Sequence, residues 1–256
     1  MSTMYISIIL GTAGSGKSAL AKALADYLDE KEADHAILNL DPGTLEENLP
    51  YEPDINIRDY VKAEEVMQEY KLGPNGAMIA SMDLTIRYLR ELRSEILDFD
   101  PEYLIIDTPG QMEIFAYRPV GSIILKELLN LPEARTSLVF IFDPYLCTVS
   151  PNTLLSVIFL SISVLWRFNL PQVNVLSKID LFDQETIEKI VRLVQNPSEI
   201  FTDIYEFPLR SELGGIVDFL KTENMYSIDI VPVSAVTGEG IMDLFSMLLN
   251  NWSETG

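Results

Sequence analysis

"GTAGSGKS", Gly11 to Ser18, is the stretch that decides the fold. It follows the apolar run "YISIIL" (5–10) and opens the helical pattern "KSALAKALADYL" (17–28), so strand, glycine loop and helix stand in direct succession. The octet fits G-x-x-x-x-G-K-[ST] at every fixed position. Glycines let backbone N–H groups turn inward around a phosphate, and the helix start adds its positive end. Lys17 then reaches the β- and γ-phosphates, and Ser18 offers a hydroxyl to Mg²⁺. Ala13, Gly14, Ser15, Gly16 and Ala19 complete the stretch expected to line the nucleotide.

Outward from this loop, the runs "AILNL" (36–40), "YLIID" (103–107), "SLVFIF" (137–142), "QVNVL" (172–176) and "DIVPV" (229–233) repeat the short apolar signature. Helical pattern separates each from the next, the mark of a parallel sheet covered on both faces. Stripes at i, i+3, i+4, i+7 run through Ile187, Ile190, Val191, Val194 and through Ile241, Leu244, Phe245, Leu248, Leu249. The expected class is α/β: a P-loop NTPase with a doubly wound, mostly parallel sheet, helices on both faces and helical insertions. No repeat or linker interrupts residues 1–256, which read as one domain. One insertion is expected at about 42–101, with Leu84, Tyr88, Leu89, Leu92 and Ile96 on one helix face, and a second at about 183–227.

Lys plus Arg number 18 against 39 Asp plus Glu, a formal net charge of −21 that repels phosphate backbones and argues against a nucleic-acid surface. A single buried phosphate site remains compatible, because backbone N–H groups and one Lys act locally. One cysteine, Cys147, excludes an internal disulfide and a CxxC metal site, and the lone His35 reads as a structural residue at a strand start. The N-terminus lacks a basic region before its apolar run, so a cytoplasmic setting is expected. The uncharged stretch 150–166 approaches the length of a membrane span. Ser150-Pro151 looks like an N-cap followed by Pro at the first helical position, so a buried helix partly covered by a partner subunit is expected, and no membrane.

"IIDTPGQME" (105–113) ends the third run. Asp107, an acid at the carboxyl end of a buried strand, is placed to hold Mg²⁺; Gly110 can donate its N–H toward a γ-phosphate; Gln111 can orient the attacking water. Asp41, at the end of the second run, can contact the Mg²⁺ shell or accept a proton from that water, or simply form an Asp-Pro-Gly turn. Glu113 is a lesser candidate. The metal set is therefore Ser18, Asp41 and Asp107.

The base is read from "SKID" (177–180) and "SAVTGEG" (234–240), each after a strand. Asp180 can accept N1–H and the exocyclic amine of guanine while the Lys178 stem covers the ring. Ser234, Ala235 and Val236 can bring backbone to the guanine oxygen. Against adenine, Asp180 would lack this donor pair, a cost of roughly 1–3 kcal/mol.

"KLGPNGAM" (71–78) reads on its own residues as a tight turn between two helices, with Pro74 presetting the first central position, Asn75 tolerating positive φ and Gly76 closing it. With this stretch between "GTAGSGKS" and "DTPGQ", and "SKID" and "SAVTG" following, the chain closely resembles the GPN-loop GTPases over essentially its whole length. "LPYEPDINIRDYV" (49–61) and "QMEIF" (111–115) resemble that family too. An archaeal-type member is expected, because the chain ends soon after its last helix.

The resemblance implies a Mg²⁺-dependent GTPase acting as a homodimeric switch, with Gly73-Pro74-Asn75 entering the other subunit's active site and Asn75 approaching the γ-phosphate. Thr12 and Ala13 stand where some dimeric P-loop ATPases carry an additional Lys, so help across a dimer has to come from elsewhere. The resemblance also implies that Asp41, Asp107 and Gln111 surround the attacking water, and that helix 150–166 is a dimer contact. It extends weakly to an unidentified protein partner and to RNA polymerase assembly. The chain departs from the family at Ser177, where Asn is usual; contacts to guanine N7 and to the phosphate loop are expected to weaken. The alternatives are a nucleotide-gated binding module or assembly chaperone with little turnover, and a P-loop kinase.

Overall fold

The computed structural model describes residues 3–200 and 229–254, together with Gly215. Seven strands form one sheet: β1 (Met4–Gly11), β2 (His35–Asn39), β3 (Ile55–Asn56), β4 (Tyr103–Asp107), β5 (Ala134–Phe142), β6 (Gln172–Leu176) and β7 (Ile230–Pro232). Their order is β3-β2-β4-β1-β5-β6-β7, and every pairing is parallel. The two-residue β3 adds an edge strand that no apolar run announces. β1 lies at the centre, so its carboxyl end delivers Gly11 to the middle of the sheet's rim. The register aligns Ile9 and Asn39 with Asp107, bringing the ends of β1, β2 and β4 level.

Alternation along β1 separates two cores. Ile6, Ile8 and Leu10 face a cluster that includes α4 (Leu89–Phe99), α5 (Met112–Ala116), α6 (Pro119–Leu129) and α8 (Pro151–Phe168). Ile9 faces α1 (Lys17–Glu30) and α10 (Ile241–Glu254), where Leu20, Leu24 and Leu28 meet Leu244, Leu248 and Trp252. Leu249, assigned by its spacing to this stripe, is instead 40% exposed; it lies at the margin of the buried face.

The first insertion contains α2 (Ala63–Glu69), α3 (Pro74–Thr85) and α4. The single helical face expected through Leu84 and Ile96 is broken, because Ile86–Tyr88 forms a 3₁₀ turn between α3 and α4. "KLGPNGAM" is also corrected: it is no four-residue turn closed by Gly76. Gly73 is an extended N-cap, Pro74 takes the first helical position, and Asn75 and Gly76 lie in the first turn of α3. A proline there loses no hydrogen bond and has its φ already set, which favours helix entry over a reverse turn.

After β5 come α7 (Pro144–Val149) and α8, whose N-cap Ser150 accepts from Thr153 N–H with Pro151 following, as the sequence suggests. Among the described residues α8 is the one helix long and apolar enough, by length and composition, to cross a membrane. Leu154, Leu155, Ile158 and Ile162 bury one side of it in the core. Of the second insertion, α9 (Gln184–Gln195) and the turn Pro197–Glu199 are described; most of 201–227 lies outside the described residues.

Candidate nucleotide site

Gly14 and Gly16 carry φ of 75° and 99°, a region that side chains other than glycine's rarely adopt, and so the loop can fold around Lys17. α1 starts with no side-chain cap and no acidic residue in its first turn, leaving its N-terminus suited to an anion. Lys17 is buried, and its Nζ donates to the carbonyls of Gly11 (3.0 Å), Thr12 (3.1 Å) and Gly110 (3.2 Å). Burial lowers the Lys17 pKa, opposed in turn by the charges of Asp107, Asp41 and Glu113. The loop and the "DTPGQ" segment thus meet through one ammonium group.

Asp107 is 1% exposed. Burial raises its pKa, helped by the Asp41 charge; the Ser18 and Tyr51 hydroxyls beside it and the Lys17 charge oppose the rise. Tyr51 Oη donates to Asp107 Oδ2 at 2.8 Å, while Oδ1 is buried and accepts no geometrically sound hydrogen bond among the described residues. An orphaned, buried carboxylate oxygen beside a P-loop serine is the donor set a hard cation seeks, so these residues fit Mg²⁺. No group of three or more His, Cys, Asp or Glu side chains among the described residues could hold a metal. The fit is therefore to an ion held mainly by phosphate oxygens and water, the usual habit of Mg²⁺.

Asp41 is placed differently. Its Oδ1 accepts from Gly43 N–H (2.8 Å), and its Oδ2 accepts from Thr44 Oγ1 (2.9 Å) and Gly110 N–H (3.1 Å). The Gly110 amide, expected to donate toward a γ-phosphate, donates here to the Asp41 carboxylate. Asp41 is also pinned through its backbone N–H, which donates to Asn39 Oδ1. Gln111 is exposed, and its Nε2 donates to Asn75 Oδ1 at 3.4 Å, so the start of α3 and the start of α5 meet on one rim within a single chain. Glu113 stands on the exposed side of α5 and acts on Lys17 only through its charge.

At the other end of the site, Ser177 Oγ donates to the Ser15 carbonyl at 2.9 Å, and Lys178 Nζ donates to the Gly14 carbonyl at 2.6 Å. Asp143 Oδ2 accepts from Lys178 Nζ at 3.0 Å, and the ammonium lies 5.4 Å from the Tyr145 ring centre. Asp180 is exposed, with Oδ1 accepting from Ser234 Oγ at 2.6 Å. Ser234, expected to bring backbone to guanine, donates its N–H to the Glu239 carbonyl, and its hydroxyl accepts from the N–H of Val236 and Thr237. Asn174 faces away from the site, onto Ser161 of α8.

Tyr51 and Asp143 went unseen in the sequence. Asp143 satisfies the rule that singled out Asp107, an acid at the carboxyl end of an apolar strand. Tyr51 lies in the aperiodic segment 49–61, which resembles the family but carries no such marker of a site residue.

The family model described as a conserved hypothetical ATP binding protein matches residues 9–253. GPN-loop GTPase 1 of Dictyostelium discoideum is 35% identical over 250 residues, covering 94% of this chain and 60% of the relative. A GPN-loop GTPase of Pyrococcus abyssi is 33% identical over 261 residues, covering 98% of each. The crystal structure of a Pyrococcus abyssi GTPase in apo form superposes with a TM-score of 0.83 at 31% identity, covering 97% of both chains. The chain spans 55–65% of the length of three of its eukaryotic relatives.

Proposed function

This chain belongs to the GPN-loop GTPase family, and from that premise we propose that it hydrolyses GTP with Mg²⁺ as a homodimeric switch. The observation that carries the reading is the bridging of base and phosphate ends: Ser177 and Lys178, in the base motif, bond the carbonyls of Ser15 and Gly14 in the phosphate loop. The family model's description speaks of ATP and the relatives' names of GTP. Asp180 separates the two, since only guanine offers its carboxylate two adjacent N–H donors.

Ser18 and Asp107 would hold the Mg²⁺, with Asp41 close to its shell; the ion supplies charge neutralisation at the β- and γ-oxygens when bound. Lys17 screens the same phosphates from the loop side. Gln111 orients water by its amide, and Asp41, which accepts from Gly43, Thr44 and Gly110, ties the Gly110 backbone to the end of β2.

Support for a dimer comes from α8, where Ser156 and Trp166 are exposed on the side away from Leu155, Ile158 and Ile162, Trp166 to 54%. In that dimer Gly73-Pro74-Asn75 enters the other subunit's site, and the Pro-initiated helix gives the tripeptide a fixed approach. The Asn75–Gln111 contact favours a second reading, in which Asn75 acts on its own chain. As output we propose nucleotide-gated assembly of protein complexes in the cytoplasm, RNA polymerase by family resemblance, without nucleic acid or membrane.

Asn75→Ala is expected to slow phosphate release from GTP about a hundredfold, the scale of a lost transition-state donor, while GDP affinity is kept. Mixing it with Lys17→Ala decides the route. Action across the dimer predicts recovered turnover, because one subunit keeps a sound site and the other a sound loop. Full loss of rate without recovery would favour action within the chain.

A further inference from the structure

We propose that Tyr51 is a positioning residue for the Mg²⁺ site: its hydroxyl, 2.8 Å from Asp107 Oδ2, fixes the carboxylate so that Oδ1 is left for the ion. The proposal rests on the Mg²⁺-dependent reading above and assigns the site a residue from outside the phosphate-loop, "DTPGQ" and base motifs. Asp107 sits at a strand end, but its carboxylate can still turn about its last bond. Its other polar neighbours, Ser18 and Lys17, belong to the phosphate loop, where ion and nucleotide also bind. Among the described residues Tyr51 is the hydrogen-bond donor that reaches Asp107 from outside that loop, while Asp41 acts on it through charge. Tyr51 can therefore hold the carboxylate without competing for the ligand.

The segment that carries Tyr51 is rigid enough for this task. Asp54 Oδ2 accepts from Ile37 N–H at 2.8 Å, and Asp54 N–H returns a bond to the Ile37 carbonyl at 3.0 Å. Ile55 and Asn56 then pair with Leu38 and Asn39 as β3, and Asn39 Nδ2 donates to Asn56 Oδ1 at 3.0 Å. Buried Arg58 donates to the Pro42 carbonyl at 2.7 Å, tying the far end of the segment to the Asp41 loop. The Tyr51 ring packs against the core on the α1 side of the sheet. Residues 51–58 thus strap the ends of β2 and β4 together, and the phenol is the strap's point of contact with the catalytic carboxylate. Partners that orient metal-binding carboxylates in this way act on metal affinity more than on fold.

The test is the binding of a fluorescent GDP to the full chain, titrated with Mg²⁺ and repeated in EDTA. Tyr51→Phe, which keeps the ring, should raise the half-saturating Mg²⁺ concentration about tenfold or more and leave affinity in EDTA unchanged. In an Asp107→Asn background the same substitution should add nothing. Tyr51→Leu should reproduce the Mg²⁺ shift even where its packing lowers the melting temperature. An unchanged Mg²⁺ dependence, an equal loss with and without Mg²⁺, or loss of cooperative unfolding in Tyr51→Phe would each overturn the assignment. If wild-type GDP affinity ignores Mg²⁺ altogether, the metal reading falls and takes this one with it. A Mg²⁺ response in the wild type that Tyr51→Phe fully retains removes the Tyr51 assignment alone.

Discussion

Ser177 shows how much a single side chain can shift the balance at this site. A hydroxyl is shorter than the Asn amide usual in the family, yet it reaches the Ser15 carbonyl at 2.9 Å because the end of β6 lies directly under the phosphate loop. The link to the loop is therefore kept. A hydroxyl has one proton, however, and a proton given to Ser15 is not available to guanine N7. Ser177→Ala is expected to weaken GDP binding by roughly tenfold or less, the worth of one hydrogen bond, without changing the ratio of GTP to ATP affinity. Calorimetric titration with each nucleotide checks both; a changed ratio would mean that Ser177 reads the base. Lys17, Asp107 and Lys178 were legible in the sequence, because phosphate and base chemistry fixes their type and spacing. Tyr51 was not, since a lone hydrogen bond from an aperiodic segment leaves no pattern. The occupation of the Gly110 and Ser234 amides was equally hidden, being decided by neighbours distant in sequence or by loop geometry.

At the scale of elements, the central strands were legible because a sheet covered on both faces demands uninterrupted apolar runs. The edge strand β3 was not. Its two residues are specified by Asp54 and Asn56 bonding β2, and polar pairing of that kind has no periodicity. The break between α3 and α4 was missed for a related reason: apolar spacing continues across Ile86–Tyr88, and only the backbone shows the tighter turn. The Gly-Pro-Asn tripeptide is the most useful of these differences. Turn propensities favoured a closed reverse turn; the structure uses the same Pro to start α3 and so sets Asn75 on a helix end beside Gln111. A donor on a helix end is held more firmly than one on a loop tip, which suits a residue proposed to act on a transferring phosphate.

For the whole molecule, a net charge of −21 keeps copies apart at a distance, so any dimer must gain its stability from close apolar contact. The outer side of α8 offers that contact, with Trp166 exposed and the Tyr117 ring nearby, its hydroxyl bonding Ser163 and Arg167 stacked on it at 5.7 Å. Trp166→Glu is expected to convert a dimer to a monomer in sedimentation velocity, with GDP affinity intact and GTP turnover lowered to the level of Asn75→Ala. A variant that stays dimeric would place the interface elsewhere. The central claim, that one end of this sheet binds guanine nucleotide for hydrolysis, is tested most directly by measuring affinity and turnover for GTP and ATP side by side, in the wild type and in Asp180→Asn. The account predicts a preference for GTP of about a hundredfold or more, as expected of a site built to bond a specific donor pair, and its collapse in the variant. Equal binding and hydrolysis of ATP and GTP by the wild type would contradict it.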